Sequence, residues 1–402
     1  MVGLRGSDKV EKYLKKALRE RESGNWAEAQ EFCKKVIKLE PGHPQANHFL
    51  GESYSRLHDY GKALKHLQLA QDLLPNSPAI QNAMGNVFLG MADYDKALSC
   101  YQRALALNPN WPETHFNLGT IYKKIGRFND AIRHFQVALN LNPQWAQAHD
   151  NLARLLEAQG RTDDAIVHYQ EAVRLDATNL SAKHHLAALS GENPDAPPKS
   201  YLMEIFDANA EQFDHYLVNV LGCQIPQLLR RSVDGLSGGA AHFGNAMDLG
   251  CGTGLAGQAF RDVCEHLSGI DLAPCMIEEA KKKGIYDELL TGEIPGELSR
   301  VQRRYDLFIA SDLFVYIGNL SEIFSEVARH AAPGAWFVFS TEISVATDFS
   351  LLPTGRYAHS TDYIEQLAKA NDFSIDVIDC GDLRKEKGDW IKGNIYVLKY
   401  AG

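Results

Sequence analysis

A glycine-rich run with the chemistry of a ligand-binding turn lies in the second half of the chain. It reads D-L-G-C-G-T-G over residues 248–254 and follows a short apolar segment. Glycines at a turn from a strand into a helix let the backbone approach a ligand closely, and they direct the amides of the helix N-terminus toward it. The run therefore predicts a nucleotide-like ligand at this turn.

The residue before the glycines separates two classes of ligand. Residues 252–257 (GTGLAG) satisfy the G-x-G-x-x-G pattern of dinucleotide sites. However, Asp248 would repel a pyrophosphate, whereas S-adenosylmethionine carries an ammonium, a sulfonium and no phosphate. The dinucleotide pattern also begins directly at the strand end, and counting from Gly252 places it too late. The pattern favours a methyl donor, and a dinucleotide is the alternative.

A second carboxylate stands where a ribose would need an acceptor for its two hydroxyls. Asp271 closes the apolar segment over residues 267–272, and Leu272 and Met276 follow it as candidates to contact an adenine. An acidic residue at this distance is expected for either nucleotide. It therefore supports the fold without choosing the ligand.

The elements that must position these residues come after residue 200. Strands are predicted over residues 246–250, 267–272, 289–294, 305–312, 335–343, 374–381 and 394–400. Helical stretches separate most of them, which predicts an α/β domain with a parallel, doubly wound sheet. No helix separates the last two strands, which predicts a terminal hairpin. This domain is predicted over residues 201–402, after a Pro-, Gly- and Ser-rich linker over residues 191–200.

The first half of the chain repeats with a period of 34 residues. Its small, large apolar and proline columns contain Gly51, Gly85, Gly119 and Ala153; Leu67, Tyr101, Phe135 and Tyr169; and Pro41, Pro75, Pro109 and Pro143. Small residues let two antiparallel helices approach closely, and proline ends the second helix. The pattern closely resembles the tetratricopeptide family. It implies an all-α array of five repeats within residues 8–190, with a capping helix over residues 180–190.

Arrays of this kind bind partners in the groove formed by their first helices. By resemblance, the groove residues are Gln45, His48, Glu52, Asn82, Asn86, Phe116, Thr120, Lys123, Asp150 and Arg154. Their charges are mixed, and the Lys/Asn/Arg set that family members use to hold a C-terminal carboxylate is not assembled. We expect a protein partner or substrate in the groove. The alternative is a scaffold that packs on the catalytic domain or forms dimers.

From residue 246 to about 345 the chain resembles class I S-adenosylmethionine-dependent methyltransferases, most strongly at D-L-G-C-G-T-G. The resemblance implies a Rossmann-like sheet of seven strands. The predicted donor-site residues are Asp248, Gly250, Cys251, Gly252, Gly254, Asp271, Leu272, Met276, Glu293, Ile294, Ser311 and Asp312. Glu293 stands where the family often has an Asp near the adenine amine. By the same resemblance, Ser311 and Asp312 lie beside the transferable methyl group.

The flanks resemble a narrower group, the bacterial-type methyltransferases that carry tetratricopeptide repeats in the same chain. The resemblance lies in F-D-A over residues 206–208, D-L-F-V-Y-I-G over residues 312–318 and G-R-Y-A-H-S over residues 355–360. Together these matches cover most of residues 200–402. They indicate the reaction and leave the acceptor open.

Candidates for the acceptor side lie on loops after the later strands. His359 is predicted as the general base, because it lies where active-site lids of such sheets are found. Its alternative is structural, as a cap of the next helix beside Ser360 or a packing partner of Tyr357. Tyr316 is predicted to orient an acceptor, and Arg356 and Tyr357 to bind it. The alternatives for Tyr316 and Arg356 are rim packing and a solvated charge.

Composition narrows the class of protein further. The net charge is −10, and Lys and Arg are scattered, so no nucleic-acid partner is expected. The seven cysteines are odd in number and form no C-x-x-C pair, which predicts free thiols, a reducing compartment and no metal site. The N-terminus lacks the apolar core of a secretory signal, and no stretch is long enough for a membrane span. We expect a cytoplasmic protein.

Three readings of the whole chain follow. The first is a methyltransferase that acts on a small molecule or on a protein recruited by the repeats. The second is a scaffold whose α/β domain binds the donor without transferring its methyl group, and the third is a dehydrogenase.

Overall fold

The computed structural model describes residues 6–386 and 388–402, which form two compact units divided between Ala177 and Thr178. The described part of the first unit contains ten helices: α1 (Gly6–Glu22), α2 (Trp26–Leu39), α3 (Pro44–Arg56), α4 (Tyr60–Leu73), α5 (Pro78–Gly90), α6 (Tyr94–Leu107), α7 (Pro112–Lys124), α8 (Phe128–Leu141), α9 (Ala146–Ala158) and α10 (Thr162–Leu175). Consecutive helices pair as α1–α2 to α9–α10. The five predicted repeats are confirmed.

The glycine column is explained by close contact between the two helices of a repeat. A Cβ on Gly85 would lie 2.5 Å from Cε1 of Tyr101, and one on Gly119 would lie 2.8 Å from Cε1 of Phe135. Both aromatic side chains are fully buried. A ring therefore takes the space that a methyl group would need.

Gly85→Ala is expected to destabilise the array by about 1–3 kcal/mol, because the added methyl overpacks a filled contact. The ring of Tyr101 cannot move away freely, since its hydroxyl donates to Oδ1 of Asn86 at 2.6 Å. Urea unfolding and amide hydrogen exchange within α5 and α6 measure the effect. Gly61→Ala, where the new Cβ meets no atom within 4 Å, is the matched control and should stabilise. Equal stabilisation by both changes would contradict the packing argument.

Histidine pairs connect the two helices of the fourth and fifth repeats. Nδ1 of His115 lies 3.0 Å from Nδ1 of His134, and Nε2 of His115 lies 3.1 Å from the carbonyl oxygen of Pro109. His115 therefore donates from Nε2 and accepts at Nδ1 from His134. His149 and His168 repeat this arrangement at 2.9 Å. The two imidazoles of a pair cannot both be protonated in this arrangement, because one Nδ1 must accept the hydrogen bond.

The pairs predict that the array loses stability in mild acid. Burial first, and then His115 and Arg133, lower the pKa of His134 from 6.5 to about 4, and burial lowers that of His168. The unfolded chain therefore binds these protons at higher pH, and the free energy of unfolding falls as the pH drops from 6.5 toward 4. Because His134 is only partly buried, we expect a loss of about 1–2 kcal/mol. Urea unfolding across this range measures it, and a His134→Gln, His168→Gln variant should show a flatter pH dependence.

The second unit contains the remaining described helices and strands. The helices are α11 (Leu180–Ser190), α12 (Lys199–Asn209), α13 (Ile225–Ser237), α14 (Leu255–Phe260), α15 (Pro274–Lys283), α16 (Ile294–Leu298), α17 (Ser321–His330) and α18 (Thr361–Ala370). The strands are β1 (Phe243–Leu249), β2 (Cys264–Asp271), β3 (Glu288–Thr291), β4 (Tyr305–Ala310), β5 (Ala331–Ile343), β6 (Phe349–Leu351), β7 (Tyr357–His359), β8 (Phe373–Glu386) and β9 (Asp389–Tyr400). A π-helical turn spans His215–Val220. None of the helices in the described residues is long and apolar enough to cross a membrane.

The strands form one sheet with parallel neighbours in the order β3-β2-β1-β4-β5. The strand β9 adds antiparallel to β5, and β8 pairs with β9 as the predicted hairpin. All seven predicted strands are present. The short strands β6 and β7, which were not predicted, extend the C-terminal end of β5.

Apolar cores fill both faces of the sheet, as a doubly wound fold requires. The helix α11, which the sequence assigned to the end of the repeat array, is counted with this second unit. Its Ala187 and Ala188 pack against Leu351 of β6 and Tyr357 of β7.

Candidate active site

The glycine loop follows β1 and takes a backbone form that favours glycine. Gly250, Gly252 and Gly254 have φ angles of 66°, 52° and 95°. A Cβ on Gly250 would lie 2.5 Å from Cδ1 of Leu313, in the loop after β4. The loops after β1 and β4 therefore touch at this edge of the sheet.

Asp248 lies beneath the glycine loop and does not line a cavity. It is 1% exposed, and its Oδ2 accepts from the hydroxyl of Tyr286 at 2.7 Å. Burial raises the pKa of Asp248 to about 7, against the hydrogen bond from Tyr286, which lowers it. The carboxylate contacts Tyr286 and does not line the cavity that holds most of the other predicted residues, so a direct contact of Asp248 with a ligand stays a prediction.

Asp271 ends β2 and joins the glycine loop to the next helix. Its Oδ2 accepts from the backbone amide of Gly252 at 2.8 Å, and its Oδ1 accepts from that of Ala273 at 2.9 Å. Burial raises the pKa of Asp271, and these two hydrogen bonds lower it. The carboxylate is thereby fixed in one orientation at the cavity wall.

A cavity of about 520 Å³ lies at the carboxyl ends of β1, β2 and β4. Eleven predicted residues line it: Gly250, Cys251, Gly252, Asp271, Leu272, Met276, Glu293, Ile294, Ser311, Asp312 and Tyr316. Its volume lies in the range of small-molecule sites. The lining contains five carboxylates and one ammonium among the described residues: Asp195, Asp271, Glu293, Asp312, Glu322 and Lys199.

The segment over residues 199–220 covers this cavity. Phe206 packs edge-on against Tyr316, with ring centroids 5.1 Å apart, and Phe213 lines the wall beside it. Polar contacts hold the segment down: Asp207 accepts from the amide of Cys275 at 2.9 Å, and Asp214 accepts from the hydroxyl of Thr253 in the glycine loop. The cover is therefore tied directly to the loop.

A buried charged cluster supports the loop after β4. Arg384, on β8, is 1% exposed at its side chain and bonds both Asp312 and Glu342, and Arg356 bonds Glu386 at 3.0 Å. Burial disfavours the charge of Arg384, but the two carboxylates outweigh it and raise the pKa of the guanidinium. Burial also raises the pKa of Asp312, against the charges of Arg384 and Arg356.

Comparisons with known proteins agree with this architecture. A family model described as a methyltransferase domain matches residues 246–334, which carry the glycine loop, Asp271 and Asp312. Three models described as tetratricopeptide repeat match residues 20–87, 76–144 and 116–179. The chain joins tetratricopeptide repeats to a methyltransferase domain.

The curated relatives match only part of this methyltransferase domain. A malonyl-[acyl-carrier protein] O-methyltransferase of Priestia megaterium (strain DSM 319 / IMG 1521) is 33% identical over 102 residues, 24% of this chain and 35% of the relative. One from Serratia marcescens is 28% identical over 104 residues, 26% of this chain and 40% of the relative. The chain thus spans less than half the length of either relative. The solved structure of Pseudomonas aeruginosa pilF matches 46% of this chain and 84% of its own, with 18% identity and a TM-score of 0.43.

Four other predicted residues of the methyltransferase domain lie away from the cavity. Gly254 begins α14. His359 and Tyr357 are fully buried in β7, and Nε2 of His359 bonds the carbonyl oxygen of Gly318 at 2.9 Å. Burial lowers the pKa of His359 to about 4. His359 and Tyr357 are therefore buried side chains of β7 and do not line this cavity.

The remaining predicted residue, Arg356, belongs to the charged cluster. It pairs with Glu386 and lies near Tyr316, whose pKa is raised by burial and by Asp312 and lowered by Arg356. Ser360 caps α18, because its hydroxyl accepts from the amide of Tyr363 at 3.1 Å. The helix-capping role that was the structural alternative for His359 therefore belongs to Ser360.

Sequence reasoning missed Arg384, Glu342 and the cavity residue Cys223. The partners of Arg384 lie 72 and 42 residues away in sequence, so no local motif signals the cluster. Arg384 also lies beyond the end of the strand predicted over residues 374–381, whereas β8 extends to Glu386, so its place in the sheet was not predicted.

Proposed function

We propose that the methyltransferase domain takes S-adenosylmethionine as donor and methylates a small molecule or a protein that the repeats recruit. The charge of the cavity carries the proposal, because its described lining holds five carboxylates against one ammonium. Such walls would repel a pyrophosphate and attract a sulfonium and an α-ammonium. When bound, the donor supplies a methyl group already activated by a positive sulfur.

Asp271 is proposed to bind the ribose of the donor. A carboxylate offers about four acceptor sites, and the amides of Gly252 and Ala273 use two of them. The remaining sites suit the two hydroxyls of a ribose. Gly250 and Gly252 line the cavity without side chains, and the methionine part of the donor is proposed to lie against them.

The adenine is proposed to lie among the side chains that follow β2 and β3. Leu272, Met276 and Ile294 line this part of the cavity and supply apolar contacts. Glu293 pairs with Lys199 of the covering segment and is proposed to accept from the adenine amine. The carboxylate of Glu293 would then bind both the donor and Lys199 of the covering segment.

Calorimetric titration of the full chain with S-adenosylmethionine, S-adenosylhomocysteine and NADH tests the donor. We expect micromolar binding of both sulfur ligands and none of NADH. Binding of NADH without affinity for either sulfur ligand would favour the dehydrogenase reading. Binding of the donor with no turnover of any acceptor would favour a donor-binding scaffold.

The repeat groove is proposed to hold a protein partner or substrate. Its polar side chains are prearranged between neighbouring repeats: Thr114 donates to Asn82 at 2.9 Å, and Lys123 donates to Asn151 at 2.9 Å. Phe116 stacks on Trp145 with ring centroids 4.4 Å apart. This gives the groove a fixed apolar anchor beside hydrogen-bonding groups.

Phe116→Ala should separate the two kinds of acceptor. For a protein held in the groove we expect a raised KM with an unchanged kcat, because the anchor acts only in binding. For a small-molecule acceptor neither constant should change. Val167→Ala, at a half-exposed position on α10, is the control.

A further inference from the structure

Asp312 takes a backbone form that turns its side chain toward the cavity. Its φ angle is 53°, and its amide donates to Oγ of Ser340 at 3.1 Å. The side chain lines the cavity and is 11% exposed. Non-glycine residues with a positive φ angle are uncommon and concentrate at functional sites.

Only one oxygen of Asp312 is occupied by the fold. Arg384 donates to Oδ1, and none of the hydrogen bonds among the described residues reaches Oδ2. Leu313, the next residue, touches the glycine loop at Gly250. A side chain that lines the cavity thus keeps one oxygen, Oδ2, without a hydrogen-bond partner among the described residues.

The charged cluster leaves Asp312 with a negative charge that the fold does not fully compensate. The cluster contains three carboxylates, on Asp312, Glu342 and Glu386, against two guanidiniums, on Arg384 and Arg356. Arg384 is shared between two carboxylates, and Arg356 bonds the third. Of the three carboxylates, Asp312 is the one that lines the cavity.

We propose that Asp312 is the catalytic base and that the acceptor is therefore a hydroxyl or an amine rather than a carboxylate. This inference rests on the proposed donor site and deepens it. The nitrogen or oxygen of the acceptor forms a bond to the methyl carbon, and the bond between that carbon and the donor sulfur breaks. The sulfur keeps the electron pair, and the proton of the acceptor passes to Oδ2 of Asp312.

A carboxylate acceptor fits this site poorly. It is already ionised near neutral pH, so it needs no base, and it would meet the negative charge of Asp312. A hydroxyl or an amine carries a proton that Oδ2 can accept. Arg384 acts as a positioning residue, since it fixes Oδ1 and leaves Oδ2 to the acceptor.

Two nucleoside ligands test, without any acceptor, whether the negative charge of Asp312 lies near the position of the donor sulfur. Sinefungin carries an amine on the carbon that replaces the donor sulfur, and S-adenosylhomocysteine carries neither a methyl group nor a charge there. Calorimetry on the full wild-type chain should give tighter binding of sinefungin by about tenfold or more, because its ammonium meets Asp312. In Asp312→Asn we expect the two affinities to become nearly equal.

Glu322→Gln is the matched control, because Glu322 lines the same cavity but lies in the first turn of α17 and has no part in the proposed donor site. It should leave the ratio of the two affinities unchanged. Equal affinities in the wild-type chain overturn the proposal even if Asp312→Asn fails to fold, and so does a ratio that Asp312→Asn preserves. Failure of both ligands to bind would instead reject the donor site itself.

The acceptor class is tested with two thioesters that differ only at their end. Wild-type chain is incubated with labelled donor and either malonyl-pantetheine, which ends in a carboxylate, or β-alanyl-pantetheine, which ends in an amine. We expect no methylation of the malonyl carboxylate. Its turnover would overturn the assignment of a proton-bearing acceptor.

Discussion

Asp271→Ala is expected to abolish measurable binding of S-adenosylmethionine and S-adenosylhomocysteine. The substitution removes the proposed ribose acceptor and also its hydrogen bonds with the amide of Gly252 in the glycine loop and with that of Ala273 before α15. Losing charge-assisted hydrogen bonds together with a prearranged loop should weaken binding by about a hundredfold or more. Calorimetric titration of the purified variant measures the loss.

Asp306→Ala is a matched control for that experiment. Asp306 also accepts from two backbone amides, those of Gly244 at 2.7 Å and Asn245 at 2.9 Å, but it lies near the start of β4. It does not line the cavity. The control should lower stability and leave donor affinity intact, and equal loss of affinity in both variants would indicate general unfolding rather than a ribose contact.

Arg384→Met is expected to lower the free energy of unfolding by about 3–5 kcal/mol, because it leaves two buried carboxylates without a counter-charge. Asp312 and Glu342 would then carry strongly raised pKa values in the folded chain. A raised folded pKa means that the folded chain binds protons first, so the destabilisation should shrink as the pH falls. Urea unfolding at pH 7.5 and pH 5.5 compares the two conditions.

Arg230→Met provides the contrast for Arg384. Arg230 also bonds two carboxylates, Asp234 at 2.9 Å and Asp262 at 2.5 Å, but their side chains are 38% and 68% exposed. Solvent screens such pairs, and we expect a loss near 1 kcal/mol or less. An equal loss for both arginines would show that burial of the carboxylates is not the cause.

Local signals in the sequence were sufficient to place the glycine loop and Asp271 at one cavity. The glycine loop and Asp271 are each identified by residues next to them, and both lie at the cavity where the pattern placed them. The repeat columns were equally readable, because each column reflects a contact between neighbouring helices such as that of Gly85 with Tyr101.

The surroundings of the residues that were predicted to contact the acceptor depend on contacts that are distant in sequence. His359 lies on a three-residue strand, which is too short for an alternating pattern, so its burial was not readable. The bonds of Arg384 to Asp312 and Glu342 arise only when β8 joins the sheet beyond β9. A contact that forms only because of the order of strands in a sheet cannot be predicted from residue spacing along the chain.

The contacts of helix α11 determine where the chain can be truncated without destabilising the second unit. His184 on this helix bonds the carbonyl oxygen of Gly355 at 2.8 Å, and Ala187 and Ala188 cover Leu351 and Tyr357. Removing the chain up to Ser190 would expose the apolar side chains of Leu351 and Tyr357 on the second unit. A break after Ala177 keeps α11 on the surface that it covers, so we expect the second unit to tolerate separation there better than after Ser190.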